Sequence, residues 1–290
     1  MNFEFSSDQM LLKDQARKFL EGEESIKKAR EVLEGNQTHI NELWKSVIEM
    51  GWTATTIPEE FDGLGLGYLE LCVIAEELGR SLAPTPFSSS VYLATEALLN
   101  HGSKEQQQNY LPKLASGEIV GTLAHTETTT APSQENLSCE FNNDQLNGIK
   151  IVVPDGDIAN FAIVSAKEGK KLVLCLVKLS QSGVNINSQN TLDPSRSHAS
   201  ISFENAKAEP LGSNEDGWTA LQGVLDRAAV LFAFEQLGGA EACMNMAKEY
   251  AMGRFAFGRP IASFQAIKHK IADMYISVEL ARSNCYFGAW

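Results

Sequence analysis

The chain has 290 residues, 43% of them hydrophobic, and its 24 basic and 37 acidic residues give a formal net charge of −13. This composition is typical of a globular protein with a sizeable core, and the length predicts two or three domains. The acidic balance argues against a general binder of nucleic acid or of a membrane surface.

The first part of the chain has the apolar spacing of α-helices. Ser7 and Asp8 are predicted to cap the first helix. Pro84 and Pro86 are predicted to end the third, because proline lacks the amide hydrogen that a helix needs. These patterns predict an all-α N-terminal domain over residues 1–118. The predicted helices, from apolar residues three and four positions apart, cover residues 10–20, 43–50, 68–82, 91–99 and 104–114.

The middle part changes to the two-residue period of β-strands. Turn residues separate the strands, and no helix-length apolar stripe interrupts them. Many short strands at such spacing are typical of a small antiparallel barrel or sandwich. We therefore predict an antiparallel β-barrel or sandwich domain over residues 119–212. The predicted strands cover residues 119–123, 148–153, 161–166, 171–177, 184–186 and 199–203.

The last part, residues 213–290, returns to the helical period. One long helix is predicted over 220–251, and a second runs over 263–290 and stops in mid-pattern. Gly238 and Gly239 lie inside the first helix, where each costs about 1 kcal/mol against alanine, so they indicate close packing. This part is predicted to be an incomplete helical-bundle domain, and the whole chain an α+β protein in the order helical, β, helical.

The two long C-terminal helices carry apolar stripes that need a partner. We expect the chain to aggregate, to fray at its end, or to associate with itself or with a fuller partner, rather than to form a stable, active monomer. The residues expected to be exposed are Leu221, Val224, Leu231, Ile267, Ile271, Met274 and Val278.

Other features predict a cytoplasmic protein. The five cysteines are at least 36 residues apart, which predicts buried, reduced thiols rather than disulfides or a zinc site. The first residues have no basic segment followed by an apolar one, so no signal peptide is predicted. The longest apolar run of the C-terminal third, residues 228–234, is far too short for a membrane span. The five histidines share no ligand spacing, so no metal site is expected.

Two segments carry residues suited to binding a cofactor. In residues 123–130, backbone amides and threonine hydroxyls at a strand end suit the heteroatoms of a planar ring. In residues 250–269, Arg254 ends a helix beside two phenylalanines, which suits a pyrophosphate and an aromatic wall. On chemistry alone, a polar loop and a helix corner capped by arginine remain alternatives. Residues 63–67 are glycine-rich, but Tyr68 and the absence of a preceding strand exclude a dinucleotide fingerprint.

The motifs of the chain resemble those of the acyl-CoA dehydrogenase family of flavoproteins from the first helix to the last residue. One motif is Pro-Glu-Glu-Phe-Asp-Gly-Leu-Gly at 58–65, and the most specific is Arg-x-x-Phe-Gly at 254–258 with Phe-Gln at 264–265. The helical, β, helical order is also the order of this family. The remaining similar segments are 110–112, 115–118, 126–127, 148–150, 159–160 and 272–274.

The resemblance implies an FAD-dependent oxidoreductase. The family removes one hydrogen from Cα and one from Cβ of an acyl-CoA thioester, giving trans-2-enoyl-CoA, and usually passes the electrons to an electron-transferring flavoprotein. A carboxylate takes the α-proton while hydrogen bonds to the thioester carbonyl stabilise the enolate. The implied setting is fatty acid or sterol side-chain oxidation, in a homo- or hetero-oligomer.

The resemblance also implies the binding residues. Two strand segments match the surroundings of the flavin ring, and a third segment matches the pyrophosphate and adenosine side of FAD, often of a neighbouring subunit. Asp226 matches a contact to the adenosine part of acyl-CoA. The implied FAD-binding residues are Leu123, His125, Thr126, Val152, Val153, Pro154, Arg254, Phe257 and Gln265.

The chain departs from the family pattern in three places. Residues 128–133 replace the usual Pro-x-Ala-Gly-Ser-Asp loop, and Pro154 replaces a hydroxyl that often bonds the flavin. Val-Pro-Asp-Gly at 153–156 is similar to bacterial members with bulky acyl or sterol substrates, several of which pair two different subunits. The family's catalytic glutamate usually lies beyond residue 290, and its alternative position is Ala228 here, so the catalytic base is left unassigned.

Three functions fit these features. The leading one is an FAD-dependent acyl-CoA dehydrogenase. The second is a related flavin oxidase or monooxygenase on the same fold. The third is a non-catalytic flavin- or acyl-CoA-binding subunit that supports a complete partner, and the unassigned base favours it. Glu235 and Glu241 lie on the long helix, but only proximity recommends them as bases.

Overall fold

The computed structural model describes residues 5–35, 37–130, 132–133, 135–213 and 216–290. The chain divides into two compact units. The helical unit comprises Met1–Ile26, Tyr68–Ala83 and Ala229–Trp290, and the sheet unit comprises Lys27–Gly67 and Pro84–Ala228. The domain boundaries predicted after residues 118 and 212 stay a prediction.

The described residues form helices at both ends of the chain and strands between them, which confirms the predicted fold class. A π-helix, Ser88–Thr95, directly precedes the fifth α-helix. The α-helices are α1 (Ser7–Gly22), α2 (Ser25–Glu34), α3 (Asn41–Glu49), α4 (Tyr68–Arg80), α5 (Glu96–His101), α6 (Lys104–Ala115), α7 (Gly217–Gly253) and α8 (Gln265–Ala289). The strands are β1 (Gly121–Ala124), β2 (Glu140–Asn142), β3 (Gln145–Pro154), β4 (Phe161–Glu168), β5 (Lys171–Lys178), β6 (Val184–Gln189), β7 (His198–Lys207), β8 (Glu209–Pro210), β9 (Phe255–Ala256) and β10 (Arg259–Pro260).

Serine and glutamine residues fix the starts of two helices. At α1 the cap is Ser6, rather than Ser7 or Asp8 as predicted, because the Ser6 hydroxyl accepts from the Gln9 amide while the Gln9 side chain accepts from the Ser6 amide. Ser103 and Gln106 repeat this capping box at α6. Helix α2 was not predicted, although its apolar residues Ile26, Ala29, Val32 and Leu33 have helical spacing; Ala29 and Val32 are buried.

The described residues of the sheet unit form an eight-stranded sheet in the order β6-β7-β3-β2-β4-β5-β8, with β1 also paired with β4. The sheet is mixed rather than wholly antiparallel, because β1 runs parallel to β4 and β2 makes one parallel pair with it. Strands β2 and β8 escaped prediction because two or three residues cannot show alternation. The core of the sheet includes Phe141, Leu146, Val164, Val177, Ile201 and Phe203.

Strand β3 contains a bulge that aims its side chains. Its register with β7 shifts between Lys150 and Val153, and Val152 has a φ of 52°. A positive φ is unusual for a β-branched residue and marks a strained position. Because of the bulge, Lys150 and Val153, three positions apart, are both buried.

In the helical unit, α4 and α7 cross with their backbones in contact. A Cβ on Gly79 would lie 2.0 Å from the Glu235 carbonyl oxygen, and one on Gly238 would lie 1.9 Å from that of Glu76. The predicted close packing is therefore confirmed at Gly238. At Gly239 a Cβ would lie 3.6 Å from the Gly79 carbonyl oxygen, which is an ordinary contact distance, so the available space does not require glycine there.

Buried charges connect the helices of the helical unit. The carboxylate of Glu76 is fully buried and pairs with Lys13 at 2.7 Å and with Arg282. Glu77 pairs with Arg17 at 2.7 Å. Helices α1, α4 and α8 are thus held together by ion pairs that an apolar-periodicity argument does not reveal.

The apolar stripes of α7 and α8 differ from the prediction. Leu221, Val224, Leu231 and Val278, which were expected to be exposed, are buried. The large apolar side chains that α8 exposes by more than half are Tyr275, Ile276, Leu280 and Phe287, and Trp290, which follows the helix, is exposed as well.

The cysteines and the helices test two predictions made from the composition of the chain. All five cysteines are free, and four are buried as predicted, but Cys243 is exposed. Among the described residues, none of the helices combines the length and the apolar character that crossing a membrane requires. The cytoplasmic location inferred from the sequence stays a prediction.

Candidate functional site

The two strand segments that were predicted to flank a planar cofactor lie side by side. The amide of Ile151 donates to the carbonyl oxygen of Thr126 at 2.8 Å. The hydroxyl of Thr122 donates to the carbonyl oxygen of Pro154 at 2.6 Å. The end of β1 and the end of β3 are therefore neighbours in the sheet unit, although they are far apart in the chain.

The side chains of these segments differ in exposure. Leu123 and Val153 are buried in the sheet unit, whereas His125, Thr126 and Pro154 are partly exposed and Val152 is 48% exposed. The Val152 amide donates to Gln189 Oε1 at 3.0 Å. Buried Leu123 and Val153 thus support the strands from within, and their assignment as binding residues stays a prediction.

A buried ion pair lies directly beside these segments. Lys150 Nζ contacts Glu127 Oε1 at 2.6 Å, with side-chain exposures of 0% and 4%. Lys150 also donates to Ser165 Oγ at 3.1 Å, and Glu127 accepts from the amide of Cys139 at 3.1 Å. Burial by itself raises the pKa of Glu127, but the hydrogen bond and charge of Lys150 outweigh it and hold that pKa below its usual value.

Sequence reasoning named Thr126-Glu127 and Gly148-Ile149-Lys150 as motifs but did not foresee that their charges meet. The available signal was a lysine at an inward position of a predicted strand, where a charge requires a partner. Burial lowers the pKa of Lys150, and Glu127 counteracts that effect. The pair neutralises two charges that neither segment could bury alone.

His125 presents a neutral imidazole beside this pair. Its Nδ1 is buried and has no hydrogen-bond partner within the described part of the chain. Burial and the charge of Lys150 lower the pKa of His125 to about 4. The ring is therefore uncharged at neutral pH.

A second polar cluster anchors the turn after β3. Asp155 is buried and accepts from Ser89 Oγ at 2.6 Å and from Ser197 Oγ at 3.2 Å. Burial raises the pKa of Asp155 in spite of these hydrogen bonds. Arg196 donates to Ser88 Oγ at 2.6 Å. The π-helix thus supplies two serines that tie this turn to the loop before β7, a feature with no sequence signal.

The third predicted segment forms a hairpin in the helical unit. Phe257 and Gly258 occupy the turn between β9 and β10 with φ values of 53° and 77°, as a tight hairpin requires. Phe257 is 93% exposed, and its ring meets that of Phe264 edge to face at 6.3 Å. Arg259, which the sequence analysis did not single out, lies 4.1 Å over the Phe264 ring.

Arg254 leaves its charge available. Its guanidinium is exposed, and among the residues that the structure describes it makes no ion pair or side-chain hydrogen bond. Its carbonyl oxygen accepts from the Ile261 amide at 2.8 Å, which fixes the backbone of the hairpin. Gln265 is exposed and begins α8. An exposed cation and an exposed aromatic ring three positions apart in the chain suit an anionic ligand with a planar group.

The residues considered as a substrate contact or as a catalytic base lie in different surroundings. Asp226 is exposed on α7, while its neighbour Arg227 pairs with Glu96 at 3.0 Å. Ala228 is buried, and Glu241 pairs with Arg282 at 3.3 Å. Glu235 is buried at the crossing with α4. We assign no catalytic base among them.

Comparisons with known proteins bear on the whole chain. Residues 6–118 match the family model "Acyl-CoA dehydrogenase, N-terminal domain", and residues 215–290 match "Acyl-CoA dehydrogenase, C-terminal domain". The acyl-CoA dehydrogenase IpdE2 of Mycolicibacterium smegmatis is 33% identical over 96% of this chain and 75% of its own length. The mitochondrial isovaleryl-CoA dehydrogenase of Solanum tuberosum is 32% identical over 84% of this chain, and the match spans 63% of that protein.

A solved structure shares the fold. The chain superposes on a chain of the ChsE4-ChsE5 complex from Mycobacterium tuberculosis with a TM-score of 0.90 and 27% sequence identity. The match covers 100% of this chain and 79% of the other. The described chain therefore shares its fold with a solved structure.

Proposed function

Because the chain belongs to the acyl-CoA dehydrogenase family, we propose that it binds FAD and serves the dehydrogenation of an acyl-CoA thioester to the trans-2-enoyl-CoA. The observation that carries the proposal is the hydrogen bond between Ile151 and Thr126, which aligns the two strand segments implied by the family resemblance. The acyl chain, the electron acceptor and the catalytic base are outside this proposal.

The residues present fit FAD. Partly exposed His125 and Thr126 offer polar groups to a heterocycle at the end of β1. Arg254 has a guanidinium without a protein partner in the described residues, which suits a pyrophosphate. Exposed Phe257 offers a ring face for stacking.

Bound FAD would supply the hydride acceptor for the β-hydrogen. The protein's own residues bind and orient. The ion pair of Lys150 with Glu127 and the buried side chains of Leu123 and Val153 hold the two strand ends rigid. Arg254 would fix the phosphates through a two-point contact, and Asp226 would contact the adenosine part of acyl-CoA.

FAD binding is the first test. We expect purified protein to be yellow and to release FAD when denatured. Arg254→Ala should weaken FAD binding by about 2–4 kcal/mol, because a phosphate contact is lost. Titration of apoprotein with FAD, followed by flavin fluorescence, measures the dissociation constants.

Lys248→Ala is the matched control, since Lys248 is an exposed cation on the same helix as Arg254 but outside the hairpin. It should leave FAD affinity unchanged. A folded wild-type protein that takes up no FAD contradicts the proposed cofactor. Equal affinities of Arg254→Ala and wild type contradict the role of Arg254 alone.

A second candidate function is a flavin- or acyl-CoA-binding subunit without its own turnover. The similarity to a chain of the ChsE4-ChsE5 complex favours it, since two different polypeptides form that assembly. Anaerobic addition of straight, branched and sterol side-chain acyl-CoAs separates the functions. Flavin bleaching that an electron-transferring flavoprotein reverses supports the dehydrogenase, rapid reoxidation by O₂ supports an oxidase, and no bleaching supports the subunit.

A further inference from the structure

The sheet unit contains a cavity of about 620 Å³ that none of the residues implied in FAD or acyl-CoA binding lines. Its wall includes Tyr110 and Lys113 of α6, Lys178 at the end of β5 and Lys207 at the end of β7. Small-molecule sites in proteins commonly have volumes of roughly 300–1,000 Å³. The cavity is therefore large enough for a ligand of nucleotide size.

The cavity lies at the opposite end of β1 from the strand segments that are implied in flavin binding. Ile119, just before β1, lines it, as does Phe161 at the start of β4, which runs parallel to β1. The backbone from Ile119 through β1 to Thr126 spans about 20 Å, at about 3.3 Å per residue. The cavity is therefore separate from the junction of β1 with β3.

Hydrogen bonds fix the backbone around the cavity. Gln181 Nε2 donates to the carbonyl oxygens of Lys178 and Lys207, at 2.8 Å each. The amide of Val120 donates to Asn160 Oδ1 at 2.7 Å, which ties the start of β1 to the residue before β4. One side chain thus joins the ends of β5 and β7, and it holds the two lysines in one preformed wall.

The three lysines of this wall have no protein partner for their charges. Lys113, Lys178 and Lys207 are exposed, and none of them forms an ion pair within the described part of the chain. Glu209 is the one carboxylate among the described lining residues, so the wall has a net charge of +2, whereas the whole chain has −13. Ammonium groups that repel one another attract an anion.

The arrangement of the lysines favours a phosphate over a carboxylate. An ammonium is a compact charge that can donate in several directions, and the tetrahedral oxygens of a phosphate can accept from several sides at once. A planar carboxylate is bound best by the two parallel donors of an arginine. Among the described residues, arginine is absent from the lining of the cavity.

The opposite part of the wall suits a neutral ring. Tyr110 is partly exposed, and its ring packs on that of Phe161 at 4.9 Å. Burial and, to a smaller extent, the charge of Glu209 raise the pKa of Tyr110, so the carboxylate acts on this ring. An aromatic surface and a carboxylate acceptor suit a ring with N–H or O–H donors.

We propose that this cavity binds an organic phosphate of nucleotide size, whose phosphate groups contact Lys113, Lys178 and Lys207 and whose neutral ring lies beside Tyr110 and Glu209. The inference does not rest on the proposed function, because the cavity shares no residue with the sites implied for FAD or acyl-CoA.

Uridine diphosphate is the probe, because it joins two phosphates to a ring with hydrogen-bond donors, and uridine belongs to neither FAD nor CoA. Isothermal titration calorimetry of the purified protein with saturating FAD should show one saturable site. Lys178→Ala with Lys207→Ala should raise the dissociation constant at least tenfold, because two charged donors are lost. Inorganic pyrophosphate and uridine, which each supply half of the probe, should bind at least about fivefold more weakly.

Two further double variants control for charge and for folding. Lys170→Ala with Lys171→Ala removes the same charge from the exposed turn between β4 and β5, at the far end of β5 from Lys178. It should leave the affinity for uridine diphosphate within about twofold of wild type. Lys178→Arg with Lys207→Arg keeps both charges and should retain most of the affinity.

The same titrations can overturn the inference. Wild-type protein that binds no uridine diphosphate at millimolar concentrations contradicts the site. An equal loss of affinity in the two alanine double variants shows that overall charge, and not the cavity, governs binding. Pyrophosphate that binds as tightly as uridine diphosphate contradicts an organic ligand with its ring beside Tyr110.

Discussion

The buried ion pair of Lys150 with Glu127, beside the ends of β1 and β3, contributes to the stability of the fold. Lys150→Met would leave the buried carboxylate of Glu127 without its cation, and we expect a loss of about 3–5 kcal/mol in the free energy of unfolding. The double variant Lys150→Met with Glu127→Gln should recover part of this loss, because no uncompensated charge stays buried. Urea denaturation of the three proteins measures the effect.

Lys45→Met is the control for this prediction, since Lys45 pairs with Glu49 at 3.9 Å on an exposed helix face. It should change stability by less than about 0.5 kcal/mol. A Lys150→Met variant that is as stable as the control would show that Glu127 does not depend on Lys150.

The same pair has a pH signature. The folded pKa of Glu127 lies below its usual value of 4.5, so its contribution to stability is present above that value and is lost as the pH falls through the lower, folded pKa. Wild type should therefore lose more stability than the double variant on acidification.

The motifs around these residues could be recognised in the sequence, but their contacts could not. Thr126-Glu127 and Gly148-Ile149-Lys150 stood out as segments, whereas the ion pair between them and the bulge after Lys150 did not. A bulge depends on how two neighbouring strands pair. The residue pattern of one strand does not show that pairing.

Helices α4 and α7 approach so closely at Gly238 that a side chain there would collide with the backbone of α4. Gly238→Ala would place a Cβ 1.9 Å from the Glu76 carbonyl, a backbone atom that cannot move aside. We expect a net loss of about 1–3 kcal/mol in stability, although alanine favours a helix. Thermal unfolding checks the variant.

Two glycines of the same helix are matched controls. Gly223 has no atom within 4 Å of a Cβ, so Gly223→Ala should stabilise α7 by about 0.5–1 kcal/mol. Gly239→Ala meets only ordinary contact at 3.6 Å and should be tolerated. If all three variants behave alike, the close crossing of α4 and α7 is wrong.

Long helices and strands were predicted from the sequence, and the shortest elements were not. The two C-terminal helices and six strands were placed within a few residues, because their apolar residues repeat often enough to reveal the period. Strands β2 and β8 and the π-helix contain too few repeats. The parallel pairing of β1 with β4 depends on the path of the chain between them, which periodicity does not encode.

For the whole molecule, we expect the 290-residue chain to self-associate. Ile276, Leu280 and Phe287 share one face of α8 at helical spacing, and each is more than half exposed. Burying such side chains stabilises by about 1.5–3 kcal/mol each. Sedimentation velocity of wild type should show a dimer or larger species, and Ile276→Lys with Leu280→Lys should shift it to smaller species.

Leu192→Lys is the control, because Leu192 is a fully exposed apolar residue outside the helices. It should not change sedimentation. A wild-type chain that stays monomeric over a wide concentration range contradicts association through this face.

The order of helical, β and helical parts was evident from the sequence. The compact units do not follow this order, because each combines segments that are separated in the chain. The helical unit combines an N-terminal helix, α4 and the C-terminal helices, which lie far apart in the chain. The ion pair of buried Glu76 with Arg282 joins residues 206 positions apart, and a pair at such a separation leaves no local sequence pattern.

That separation sets an order for folding during synthesis. Every residue of the sheet unit has been made by Ala228, whereas the helical unit requires the segment Ala229–Trp290. On the ribosome, α1 and α4 emerge early, and the carboxylate of Glu76 can meet Lys13 but has to wait for Arg282, the last of its partners to be translated. The nascent chain therefore completes the sheet unit first. The carboxylate of Glu76 on α4 gains its contact with Arg282 only after α8 has been synthesised.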